Sequence, residues 1–158
     1  MKLLITLLVL VYSTAVFSQD DFIKKVNTAK KSLKDQLDTL EYDGTKVTYF
    51  KYRKQTYFKG VQVPVFLRDN YHFLISGGAA EDKVSVQIYD KPPESDNRLL
   101  LYEIRNISED EEIIDINKLR ERMVFYGKAP ETLRSVFFDY EIKKSRSDRG
   151  AMVLVLGY

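Results

Sequence analysis

Cysteine and tryptophan are absent from the 158 residues; histidine occurs once, proline four times and glycine seven times. Without thiols there can be no disulfide, thiolate zinc site, iron–sulfur cluster or cysteine nucleophile. A single imidazole excludes any metal site that needs two. So little glycine and proline excludes a collagen-like or low-complexity chain. No charge of one sign dominates either. Against 25 Lys and Arg stand 23 Asp and Glu, a net charge of +2, too small for a nucleic-acid binder acting through bulk charge and the wrong sign for an acidic tail. What is present is 44% hydrophobic residues, in a length that suits one domain. Such a chain buries roughly two-thirds of its unfolded surface and folds without covalent staples.

The first 18 residues have the three parts of a secretory signal peptide. Met1-Lys2 is a short positive start, Leu3 to Val11 is apolar apart from Thr6, and Val16-Phe17-Ser18 leads to a cut before Gln19. The apolar stretch ends at Phe17, short of the roughly 20 residues a spanning helix needs. The expectation is therefore an exported chain with no transmembrane span once the leader is removed. A domain of this kind without cysteine suits a bacterial envelope, periplasmic or secreted, better than an animal extracellular space. Asn106-Ile107-Ser108 matches an N-glycosylation acceptor, a pattern short enough to arise by chance.

Residues 19–44 read as an N-terminal amphipathic helix. Asp20-Asp21 offers an N-cap. Phe22, Val26, Ala29, Leu33, Leu37 and Leu40 recur at a mean interval of 3.6 residues, the period of a straight helix docked on a globular surface. Lys24, Lys25, Lys30, Lys31 and Lys34 fall on the other face, solvated or turned toward anionic lipid or glycan. Tyr42-Asp43-Gly44 is read as the helix stop, with Gly44 free to take a positive φ.

From residue 45 to 158 the period changes to two. Expected strands are Thr45–Tyr52, Val61–Leu67 with Pro64 at an edge or bulge, Tyr71–Ile75, Val84–Tyr89, Leu99–Ile104, Ser135–Ile142 and Met152–Leu156. The last is apolar throughout and so central. Arg68-Asp69-Asn70 reads as a turn, Gly77-Gly78 to Asp82 as a flexible loop, Glu109 to Glu112 as an acidic connector, Asn117–Tyr126 as a short helix and Lys143–Gly150 as a charged turn. Strands spaced by about ten residues leave no room for crossover helices. The fold class is thus mainly β: an antiparallel β-sandwich of seven or eight strands, jelly-roll or immunoglobulin-like, preceded by one amphipathic α-helix.

Tyr71-His72-Phe73-Leu74-Ile75, Val84-Ser85-Val86-Gln87-Ile88-Tyr89-Asp90 and Leu99-Leu100-Leu101-Tyr102 resemble the middle of bacterial pre-peptidase C-terminal-type sandwich domains. The layout of leader, helix and sandwich is similar to small exported proteins of bacterial envelopes. The resemblance implies a jelly-roll-like sandwich with an accessory or binding role. It carries no functional residue across.

Catalytic signals are sparse. His72 is the sole imidazole base, and Ser76 and Ser85 lack a nucleophile elbow. Asp139 and Glu141 share one strand face about 7 Å apart, by the strand rise, and could serve a small hydrolase acting on envelope or extracellular glycan. Neither Asp69-Asn70 nor Ser95-Asp96-Asn97 has the spacing of a calcium loop, and Gly77-Gly78 lacks the context of a phosphate cradle. No cofactor or metal is expected. The segment from Tyr49 to Lys59 interleaves aromatics with cations, and its candidate binding residues are Tyr49, Lys51, Tyr52, Arg53, Lys54, Tyr57 and Lys59. These either stack on and pair with an anionic glycan or an envelope protein, or form a hairpin with rings in the core and cations snorkelling outward. Export argues against nucleic acid.

Overall fold

The computed structural model describes residues 21–65, 70–107 and 111–158. The expected leader at 1–18 lies outside them. So do Asp20, residues 66–69 of the second strand and its turn, Ser108 of the acceptor pattern, and Glu109-Asp110.

Helix α1 covers 21–35 and is followed by a turn at 36–40. It stops short of the expected end. Asp38 takes a left-handed φ of 48°, and Leu37 and Leu40 donate to carbonyls three residues back, Lys34 and Leu37. A spacing of three keeps both leucines on the same side as the helical stripe, which is why the 3.6 period ran on past the helix. Gly44 is not the stop and has no positive φ. It lies inside β1 (Tyr42–Lys51).

The other elements are β2 (Tyr57–Pro64), β3 (His72–Ala79), β4 (Val84–Tyr89), β5 (Leu100–Ile107), β6 (Glu111–Asp115), α2 (Ile116–Phe125), a 3₁₀ turn (Pro130–Thr132), β7 (Ser135–Ile142) and β8 (Arg149–Gly157). They form two four-stranded antiparallel sheets in the orders β1-β8-β3-β6 and β2-β7-β4-β5. The chain is an antiparallel β-sandwich with an N-terminal helix. Gly77 and Gly78 are not a loop. They sit in β3, where the register against β8 shifts between Ser76 and Ala79, as a bulge that glycine accommodates. Pro64 ends β2, an edge strand, where its missing N–H costs no ladder bond.

The molecule has three layers. Between the sheets, Phe50, Val63, Phe73, Ile75, Val86, Ile88, Phe138, Ile142, Met152 and Leu154 form one core. On the far side of the β1–β8–β3–β6 sheet, Val26, Ala29, Leu33 and Leu37 of the N-terminal segment pack on Leu74, Ala151, Val153 and Val155. β8 is therefore covered on both faces, which explains its unbroken apolar run. Tyr140 is fully buried. Its hydroxyl hydrogen-bonds Thr48 on the facing sheet, and burial pushes its pKa far above the ordinary range.

Candidate binding cleft

β1 and β2 are not a hairpin. They belong to different sheets, each at an edge, and residues 52–56 cross from one layer to the other. The crossover holds the edge of one sheet beside the edge of the other, with a cleft of about 820 Å³ between them. Six of the seven residues read from the sequence line it: Tyr49 and Lys51 on β1, Tyr52 and Arg53 on the crossover, Tyr57 and Lys59 on β2. Lys54 is exposed on the crossover and outside the lining. The structure adds Phe22 from α1, Phe50, Phe58, and Arg149-Gly150 from β8.

Buried Phe50 and Tyr52 lie edge to face, with centroids 5.3 Å apart. Gly150 permits this, because a methyl group there would stand 2.6 Å from Phe50 Cε2. Tyr49 is 52% and Phe58 58% exposed, so two rings stand open. Phe22 lies against Tyr49 at 6.2 Å, and the Arg149 guanidinium covers Phe22 at 4.8 Å. Arg53 lies over Tyr57 at 4.4 Å, while the Tyr57 hydroxyl donates to the Lys51 carbonyl and Lys59 donates to the Tyr49 carbonyl. Each guanidinium is thus backed by a ring. Lys51 and Arg149 are cross-strand partners, a placement of like charges that weakens a sheet. Among the described residues, four cations and six aromatics line the cleft, and no carboxylate does.

The crossover is fixed from behind. The Tyr52 hydroxyl donates to the Asp82 carbonyl at 2.9 Å and accepts from the Asp82 N–H at 2.8 Å. The Asp82 carboxylate accepts from Ser147 at 2.8 Å and from Ser145, and these two bonds hold it below the usual aspartate range. The Tyr52 N–H donates to Asp148 and the Ser145 N–H to Arg53. Burial raises the Tyr52 pKa.

Of the carboxylates on the outer face of β7, Asp139 is taken up by a cation, and the histidine and serines bond to nearby backbone. Asp139 is buried in an ion pair with Arg98 at 2.9 Å. Arg98 in turn lies 3.8 Å over Tyr89 and donates to the Lys91 carbonyl. Asp139 borders a groove of about 350 Å³ with Gly60, Pro92 and Phe137, and Glu141 is not among that lining. His72 Nδ1 lies 2.8 Å from the Asn70 carbonyl. Ser76 is four residues along the same strand and accepts from the Gly78 N–H. Ser85, on the other sheet, accepts from the Asn106 N–H. Among the described residues, no three of His, Asp and Glu gather as a metal site.

Phe22, Arg149 and Gly150 escaped the sequence reading because they come from distant segments. The pairing of Lys51 with Arg149 and of Phe50 with Gly150 follows from register, which one sequence does not give.

No family model matches the chain, and no curated protein matches it. Among solved structures, it is similar to a carbohydrate-binding module of an endoglucanase from Eubacterium cellulosolvens. That match has a TM-score of 0.40 and 11% identity, covering 75% of this chain and 96% of that one. A protein of infectious bursal disease virus, Gx strain, aligns with a TM-score of 0.22 and 8% identity over 73% of this chain and 32% of that one. No described helix is long and apolar enough to cross a membrane.

Proposed function

We propose that the chain is an exported, non-catalytic binding module of a bacterial envelope, periplasmic or secreted, and that its ligand is an anionic glycan held in the cleft between β1 and β2. The observation that carries this reading is the lining of the cleft: open rings and ring-backed cations, with no acid among its described residues. Flat apolar sugar faces suit Tyr49 and Phe58. Carboxylate or sulfate groups suit Lys51, Arg53 and Lys59, with guanidinium able to take a carboxylate in two parallel bonds. The clamped crossover presents these groups in a fixed geometry, which lowers the ordering cost of binding.

The test is retention on an immobilised polyuronate, with a neutral polysaccharide as control. Replacing Lys51, Arg53 and Lys59 by Ser should lower retention at least about tenfold, the effect of losing several charge-assisted contacts. Tyr49→Ala should also lower it. A control with Lys24, Lys25 and Lys31 of α1 changed to Ser should bind like the parent. Equal retention of the cleft variant, or loss confined to the α1 variant, would overturn the reading.

A further inference from the structure

A second surface lies at the end of α2, independent of the cleft. Phe125 is 75% exposed and Val124 59%, and Tyr126 follows them, also exposed. The helix beneath them is firmly seated, with Ile116, Leu119 and Met123 buried. The Tyr126 N–H bonds back to Arg122 and Met123, and the Lys128 N–H reaches Met123 at 2.9 Å. Gly127 takes a φ of +66° and turns the chain. The tip is therefore a preformed apolar prominence at the end of a rigid element. Phe125 and Tyr126 lie edge to face at 5.2 Å. The Arg122 guanidinium sits 4.8 Å over Tyr126 and 5.5 Å over Phe125, and donates to the Tyr126 hydroxyl at 3.0 Å. Lys128 is exposed beside them, and no carboxylate occurs from Arg122 to Pro130. Glu103 and Glu121 line the groove between α2 and β5 together with Lys118, Arg122 and Phe125, and Glu131 follows Pro130 in the adjoining 3₁₀ turn.

We propose that this prominence is a membrane-contact site, inserting Val124, Phe125 and Tyr126 shallowly into the interface of an anionic bilayer while Arg122 and Lys128 meet lipid phosphates. Aromatic rings with cations at their own level match the chemistry of that interface, apolar below and anionic above. Three projecting side chains are far fewer than the roughly 20–30 residues a side of a stable protein interface.

The absence of tryptophan supplies a clean reporter. In the full-length Phe125→Trp variant, emission should shift to the blue on adding vesicles of phosphatidylglycerol and phosphatidylcholine. It should stay unshifted with phosphatidylcholine alone. The signal is local, so vesicle capture through residues 1–18 would leave it unchanged. In parallel, Val124→Ser with Phe125→Ser should lower partitioning onto anionic vesicles about tenfold, the loss expected for two apolar side chains, with thermal stability retained. The cleft variant should partition like the parent. Unshifted emission at saturating anionic vesicles, partitioning insensitive to the Ser pair, or a dimer dispersed by that pair without vesicle binding would each overturn the proposal.

Discussion

Single atoms decide the local geometry at three places. Gly157 lies under the turn after α1, where a methyl group would stand 2.5 Å from Leu37 Cδ2 and 3.2 Å from the Glu41 carbonyl. Backbone cannot yield as a side chain can, so Gly157→Ala should cost about 1–3 kcal/mol, read by urea denaturation. Gly150→Ala meets side chains alone, the Phe50 ring and, at 3.3 Å, Tyr52 Cε2. It should lower stability and also disturb the cleft, so its polyuronate retention should fall where that of Gly157→Ala does not. The Tyr140–Thr48 bond joins the layers within the core. Tyr140→Phe leaves the buried Thr48 hydroxyl without that partner and should cost about 1–3 kcal/mol. The double change with Thr48→Val should recover part of the loss, and a thermodynamic cycle over the four proteins checks it.

At the level of elements, α1 belongs to the fold. Leu33 is fully buried and Leu37 nearly so, both against the outer face of the β1–β8–β3–β6 sheet. Leu33→Ala should cost about 2–5 kcal/mol, with far-UV and near-UV signals lost together in denaturant. Separate transitions would mean that the helix docks independently. The elements also divide what a sequence reveals from what it conceals. β4 and β7 were legible to the residue, because Val84, Val86 and Ile88, and Val136, Phe138, Tyr140 and Ile142, recur at every second position and are buried. β8 was legible as central from its two apolar faces. The end of α1 was not, since Leu37 and Leu40 keep the helical stripe in a turn. Gly77-Gly78 reads as a loop because bulge and loop use the same residue. The cleft was half legible. Its aromatic and cationic segment is contiguous from Tyr49 to Lys59, but the hairpin expected for it is replaced by a crossover, and only the crossover creates a cavity.

For the whole molecule, the pH response should be one-sided at each extreme. Tyr140, Tyr52, Tyr89 and Tyr102 all have raised pKa values; burial is the main cause for the first three, and the hydrogen bond to Glu112 for Tyr102. The unfolded chain gives up these protons first. The stability they contribute is therefore intact below about pH 10 and falls as pH rises beyond it. Tyr140→Phe should flatten that alkaline limb in a plot of denaturation midpoint against pH. Asp82 has the opposite sign. Its pKa is lowered by Ser145 and Ser147, so its contribution is complete above about pH 4 and fades in stronger acid. Asp82→Asn should flatten the acid limb and loosen the crossover that shapes the cleft.

β7 and β8 are the last two strands along the chain, yet each lies between two earlier ones, β7 joining β2 to β4 and β8 joining β1 to β3. During synthesis from the amino end, β1 and β2 emerge long before the strands that pair with them, and only β3 with β6 and β4 with β5 can pair earlier. Neither sheet can close until residues 135–157 have passed. Such a topology slows folding, because the pairings that complete each sheet span most of the chain.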